Sequence, residues 1–275
     1  MRVLKVINNN VLTCLDSQNR EAVVMGRGLG FHAKPGMDLD EHLAEKVFRM
    51  ESQEQMTRLQ NLIDRVPQGL LELCTRIVDY AGQILGRRLN QNIYLTLTDH
   101  VQFAMERCRQ GVGLPNALLT EVRVFYPEEY TIGRYALEQI ALHMGVTLPE
   151  DEAASIALHL VNAEYDRSMD ATMRAAQVLL PIMEIIRGAE NLSLAQGSLR
   201  FNELIVHLKF MAMEAFTSGS RNEEGCDRDL EDKIPAAWAC ARQICRYLSE
   251  QSGKPVSPGE EAYLAICIQR AQKPN

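Results

Sequence analysis

Two segments of the chain recur at nearly the same spacing, and this repeat restricts the fold more than any other feature. LTDHVQFAMER (Leu97 to Arg107) resembles LIVHLKFMAME (Leu204 to Glu214) at an offset of 107 residues. PEDEAASIALHLVNA (Pro149 to Ala163) resembles PGEEAYLAICIQRA (Pro258 to Ala271) at an offset of 108, with the second proline one residue out of register. Two matches at nearly the same offset indicate a tandem duplication of a domain of about 100 residues. Apolar residues recur at helical spacing in HLAEKVFRM, MTRLQNLIDRV and LLELCTRIVDYAGQIL. Each copy also opens its second segment with proline and then acidic residues, the chemistry of a helix start. The expected body is all α.

The first residues have a different texture. LKVINNNVLTCLD and REAVVMGRGLGF are short β-prone runs broken by NNN, SQN and glycines, which suggests a small antiparallel sheet of about four strands. A head of about 55 residues buries too little surface to be comfortable alone, so it is expected to dimerise through its apolar face. Charge divides the same way. Residues 1–35 carry Arg2, Lys5, Arg20, Arg27 and Lys34 against Asp16 and Glu21, leaving 24 of the 29 basic and 34 of the 36 acidic residues for the rest. A basic head thus precedes an acidic body within a net charge of −7, and for nucleic acid the distribution counts more than the sum. Seven cysteines at irregular spacing, without a CxxC pair, argue against a disulfide framework or zinc module and are expected to be reduced thiols. The start lacks the apolar core of a secretory signal and no window has the length of a membrane span, so a cytoplasmic protein without membrane insertion is expected.

The repeat aligns histidines. His100 matches His207, both within His-x-x-Phe, and His159 falls opposite Cys267. A lone histidine on an apolar helix face is usually a satisfied core residue, but recurrence in one setting favours a shared role. Zinc held by Asp99, His100 and His159 is one option, though the second copy offers only His207 and Cys267. Neither a GxxxxGK[ST] phosphate loop nor a GxSxG nucleophile elbow is present. Reversible phosphoryl transfer suits repeated single histidines best, because neutral imidazole is nucleophilic near pH 7 and needs no cofactor for it. In the head, Gly26, Gly28 and Gly30 are read either as a bulged hairpin or as backbone brought close to a polyanion. Asn8, Asn9 and Asn10 are read either as a turn or as amides that read bases. Arginine, an aromatic ring and asparagine together are the set that unpaired RNA selects.

KVINNNVL, VVMGRGLGF, EKVF, LTLTDHVQFAMER, ALHLVNAE and HLKF together resemble the BglG/LicT family of bacterial transcriptional antiterminators, over essentially the whole chain. The resemblance implies a dimeric co-antiterminator RNA-binding domain at 1–56, followed by two all-helical phosphotransferase regulation domains at 65–170 and 171–275. It implies that the head holds a hairpin in the nascent leader mRNA of a sugar operon, an aryl-β-glucoside system being the natural choice, and so prevents a terminator from forming. Carried over by position, the RNA-contacting candidates are Lys5, Asn8, Asn10, Gly26, Arg27 and Phe31, and the phosphorylation candidates are His100, His159 and His207. The implied donors are the sugar-specific enzyme II permease, which inactivates through the first domain, and the phosphocarrier HPr, which activates through the second. Cys267 departs from the family's fourth histidine and is read as a packing residue. His32-Ala33-Lys34 is less basic than is common there. Rival readings are a DNA-binding activator with the same regulation domains, disfavoured by a head without a helix-turn-helix, and an enzyme with a phosphohistidine intermediate, for which the sequence carries no pocket motif.

Overall fold

A computed structural model describes residues 1–49, 52–63, 65–67, 69–166, 168–217 and 229–273. Four short strands come first: β1 (Arg2–Val6), β2 (Val11–Leu15), β3 (Glu21–Met25) and β4 (Lys46–Phe48). They form an antiparallel meander in chain order, with Val3 opposite Cys14, Leu12 opposite Val24 and Val23 opposite Phe48. Eleven α-helices follow among the described residues: α1 (Gln53–Ile63), α2 (Leu70–Leu85), α3 (Ile93–Arg109), α4 (Leu119–Phe125), α5 (Pro127–Met144), α6 (Asp151–Tyr165), α7 (Met169–Gly188), α8 (Leu199–Ala215), α9 (Asp229–Lys233), α10 (Pro235–Ser252) and α11 (Pro258–Arg270). A small β head and a helical remainder are what the sequence pattern calls for, with one correction: HLAEKVFRM, expected to be helical, supplies β4, because Lys46–Phe48 pair with β3 and Phe48 enters the core.

Alternation along the strands gives the sheet two apolar faces. On one, Val3, Leu12, Cys14 and Val24 are padded by Leu29, Ala33, Leu39 and Ala44 from the long β3–β4 connection. Main-chain bonds hold that connection to β1, from Val3 N to Met37 O at 2.8 Å and from Gly36 N to Val3 O at 2.8 Å. On the other face, Val11, Val23, Met25 and Phe48 join a core with Met56, Leu59, Leu73, Ile77 and Tyr94 from α1, α2 and α3. The sheet is covered on both sides by its own chain.

The chain divides into two compact units, Met1–Leu114 with Thr131–Asp166, and Pro115–Tyr130 with Arg167–Asn275. In the first, α2 packs on α3 and α3 on α6; in the second, α7 packs on α8 and α8 on α11, the same pairing repeated. Local chemistry sets the helix ends. Ser168, Ser198 and Ser257 each accept a hydrogen bond from the amide three residues on, opening α7, α8 and α11. Gly86 and Gly253 close α2 and α10 in the left-handed conformation. The six described cysteines carry free thiols, five of them buried, and Cys226 lies outside the described residues. Among the described residues no helix is long and apolar enough to cross a membrane.

Gly133 on α5 lies so near α6 that a β-carbon there would stand 2.2 Å from the Ala153 carbonyl oxygen. Backbone cannot yield as a side-chain tip does. Gly133→Ala is therefore expected to lower stability by about 1–3 kcal/mol, read as a lower urea midpoint; an unchanged midpoint would contradict this approach.

Candidate nucleic-acid interface and histidine sites

The head gathers most of its candidate residues at one end of the sheet. The β1–β2 connection, Asn8 to Asn10, is knitted to the segment after β3: Gly26 N donates to Asn10 O (3.0 Å), Gly30 N to Asn9 O (2.8 Å) and Gly28 N to the Asn10 side-chain oxygen (2.8 Å). Each glycine answers a local demand. Gly28 has φ +74°, a β-carbon on Gly30 would lie 2.1 Å from the Asn8 carbonyl oxygen, and one on Gly26 would lie 2.7 Å from the Leu43 carbonyl oxygen. The glycines are thus required to close this corner, whatever faces it. Asn10 is its fastener, and neighbouring Asn8, Arg27 and Phe31 are exposed, Phe31 by 68%. Lys5 is exposed on the edge strand β1, opposite Thr13 of β2.

Polar contacts frame the apolar face under this corner. The Asn10 side-chain amide donates to Glu72 of α2 at 2.7 Å. Lys46 bonds Asp79 and lies 4.7 Å over the Tyr94 ring, while the Tyr94 hydroxyl donates to Asp79 at 2.8 Å. Phe48 meets Tyr94 edge-on at 5.0 Å. Burial pulls the Lys46 ammonium down, but bonds to Asp79 and Tyr94 more than offset this and leave its pKa raised.

The first histidine centre lies where α3 packs on α6. His100 and His159 face each other with ring centroids 4.8 Å apart. His100 Nε2 is 2.9 Å from Glu152, and Arg107 contacts the other oxygen of the same carboxylate. Burial, and then the charge His100 can carry, push the His159 pKa down to about 3, so near neutrality that ring is uncharged and nucleophilic. Its Nδ1 is buried without a hydrogen-bond partner among the described residues.

The second centre is built on the equivalent pair, α8 and α11. His207 is 3.7 Å from Glu260 and meets Tyr263 edge-on at 4.6 Å. Its Nε2 is buried without a hydrogen-bond partner among the described residues, and burial lowers its pKa to about 4. Cys267 occupies the place of His159, and burial raises its thiol pKa although Tyr263 opposes that. Among the described residues no group of three His, Cys, Asp or Glu side chains is arranged to hold a metal.

A β head and twin helical domains with matching histidine sites describe a nucleic-acid binder joined to a duplicated regulatory module. Residues 1–57 match the family model described as the CAT RNA binding domain, and residues 75–163 and 181–271 match the PRD domain. The chain is 38% identical to the beta-glucoside operon antiterminator of Dickeya chrysanthemi, covering 99% of this chain and 97% of that one. It is 37% identical to the transcription antiterminator LicT of Bacillus subtilis (strain 168), covering 99% of each. A crystal structure of GlcT CAT-PRDI covers 59% of this chain and 97% of its own, at 33% identity and a TM-score of 0.53. The chain belongs to the BglG/LicT family of transcriptional antiterminators, with a CAT RNA-binding domain followed by two PRD domains.

Sequence reasoning missed Glu152, Arg107 and Glu260. The signal was present, since an acid stands at matching places of both copies, but it read as helix-start chemistry. A pH dependence follows from the buried imidazoles. An unfolded histidine binds its proton near pH 6.5, whereas folded His159 and His207 bind theirs only near 3 and 4. Their stabilising contribution is present above about pH 6.5 and is lost as pH falls toward those values. The urea midpoint is expected to fall between pH 7 and 5, and His159→Gln to flatten that fall; an equal slope in the variant would contradict it.

Proposed function

We propose that this protein is an antiterminator that holds a hairpin in the nascent leader mRNA of a sugar-utilisation operon, a β-glucoside operon being the reading closest to its relatives. The observation that carries this is the RNA-binding family match over residues 1–57, joined to a chain 37–38% identical to two antiterminators along nearly its full length. The sheet corner supports it: Asn8, Arg27 and Phe31 stand exposed around a hydrogen-bonded scaffold. Arginine and a ring supply charge and a stacking surface for an unpaired base. Lys5, Asn10 and Gly26 complete the proposed RNA face. A terminator that shares sequence with the hairpin cannot form while the hairpin is held.

Control falls to His100, His159 and His207 as phosphoryl acceptors, modified by the enzyme II permease in the first regulation domain (65–170) and by HPr in the second (171–275). The active form is a homodimer. Each phosphoryl group brings about −1.5 to −2 charge, and two of them within about 8–10 Å across a dimer axis repel by several kcal/mol at an effective dielectric near 20. That is comparable with the roughly 5.5 kcal/mol that takes a two-state equilibrium from 1:99 to 99:1. Since Val11, Val23, Met25 and Phe48 are covered by α1, α2 and α3, a head dimer through that face has to exchange this cover for a second sheet.

Arg27→Ala is expected to cost about 1–3 kcal/mol of hairpin affinity and to abolish antitermination in a reporter without altering helical content; retained affinity would overturn the RNA face. Replacing His100 and His159 together by alanine is expected to make the reporter independent of inducer, and a reporter that still needs inducer would overturn the inhibitory role.

A further inference from the structure

The acceptor ring of the first centre does not stand alone. His100 and Arg107 lie seven residues apart on one face of α3, and Glu152 and His159 seven apart on one face of α6. Packing of the two helices brings Glu152 to 2.9 Å from His100 Nε2 and into contact with the Arg107 guanidinium. The carboxylate is nearly inaccessible, its side chain 4% exposed, whereas the imidazole keeps 19%. A carboxylate oxygen only accepts, so the ring proton sits on Nε2 and the lone pair on Nδ1. Arg107 Nε is buried without a hydrogen-bond partner among the described residues, a donor not yet used.

Resting on the reading of His100 as a phosphoryl acceptor, we propose that Glu152 is a positioning residue that makes Nδ1 the accepting atom, and that Arg107 holds the transferred phosphoryl oxygens. In the transfer, the Nδ1 lone pair attacks phosphorus and a P–N bond forms. The P–N bond of the phosphohistidine donor breaks, and its electron pair returns to the donor ring nitrogen. The His100 ring gains one positive charge, held by its Nε2–H against Glu152. A bare Glu152 carboxylate would repel the incoming phosphoryl group; Arg107 cancels that charge and supplies N–H donors to the phosphoryl oxygens.

The second copy is an internal comparison. Its carboxylate is retained as Glu260, but 3.7 Å from His207, beyond hydrogen-bond range. The position of Arg107 is held by Glu214. His207 therefore lacks both the tautomer lock and the phosphoryl anchor. The duplication has kept an acceptor in each copy and built the positioning pair in one.

The test uses the full chain labelled with ¹⁵N-histidine and phosphorylated with potassium phosphoramidate, whose departing nitrogen leaves as ammonia. ³¹P–¹⁵N couplings report which ring nitrogen carries phosphorus. Phosphorus on Nδ1 of His100 is expected. Glu152→Met, with unchanged circular dichroism, is expected to lose this preference and to slow transfer by the factor typical of an orienting carboxylate, about 10- to 100-fold. Arg107→Met is expected to shorten the phosphohistidine lifetime roughly tenfold, the worth of one charge-assisted hydrogen bond. The rate and position at His207 should not change in either variant. Phosphorus on Nε2 of His100 in the wild-type chain overturns the proposal alone, as does an unchanged position in Glu152→Met. No phosphoryl group on His100 from phosphoramidate or from the phosphorylated enzyme II permease overturns the acceptor reading, and this proposal with it.

Discussion

Burial of one face of a four-stranded sheet against three helices is the contact on which the first half of the molecule depends. A head of this size is marginal by itself, and Val11, Val23, Met25 and Phe48 join a core that Met56, Leu59, Leu73, Ile77 and Tyr94 complete. The polar edge of the contact reaches the candidate RNA corner, since Asn10, which ties the 26–30 segment to the β1–β2 turn, also bonds Glu72. Whatever shifts the helices therefore acts directly on the residue that shapes the corner.

Duplication supplied the regulatory half with two scaffolds and left their chemistry free to diverge. In both copies a histidine on one helix faces a carboxylate at the start of another, 2.9 Å away in the first and 3.7 Å in the second. The partner residues differ: His159 and Arg107 in the first, Cys267 and Glu214 in the second. One centre is tightly bonded and charge-balanced. In the other, His207 itself keeps a buried, unbonded Nε2, whereas in the first the unbonded nitrogen is Nδ1 of His159, beside the bonded His100.

Much of this was legible in the sequence. Glycine-broken β-prone runs marked β1, β2 and β3, and helical spacing marked the body, but β4 lay in HLAEKVFRM, whose spacing reads as helical until pairing with β3 makes it a strand. The common offset of the repeat was enough to expect His100 and His159 in corresponding settings to His207 and Cys267. What stayed hidden depends on packing between distant elements. Glu152 and Arg107 are 45 residues apart, and only the pairing of α6 with α3 makes them partners. An apolar face also advertises burial without naming its cover, because the hydrophobic effect is not directional. A second copy was the cover expected, and the chain's own helices supply it here. The glycines carried two meanings, and the close approaches at Gly26 and Gly30 explain them as closure of the corner.

The most direct test of the account is the affinity of the full chain for its operon's leader RNA hairpin beside duplex DNA of the same sequence at one salt concentration, with the mass of the complex read by sedimentation. The account predicts tight binding to the RNA, weak salt-sensitive binding to the DNA and two chains per hairpin. Equal affinity for both nucleic acids would contradict the RNA-binding reading, and one chain per hairpin would contradict the dimer.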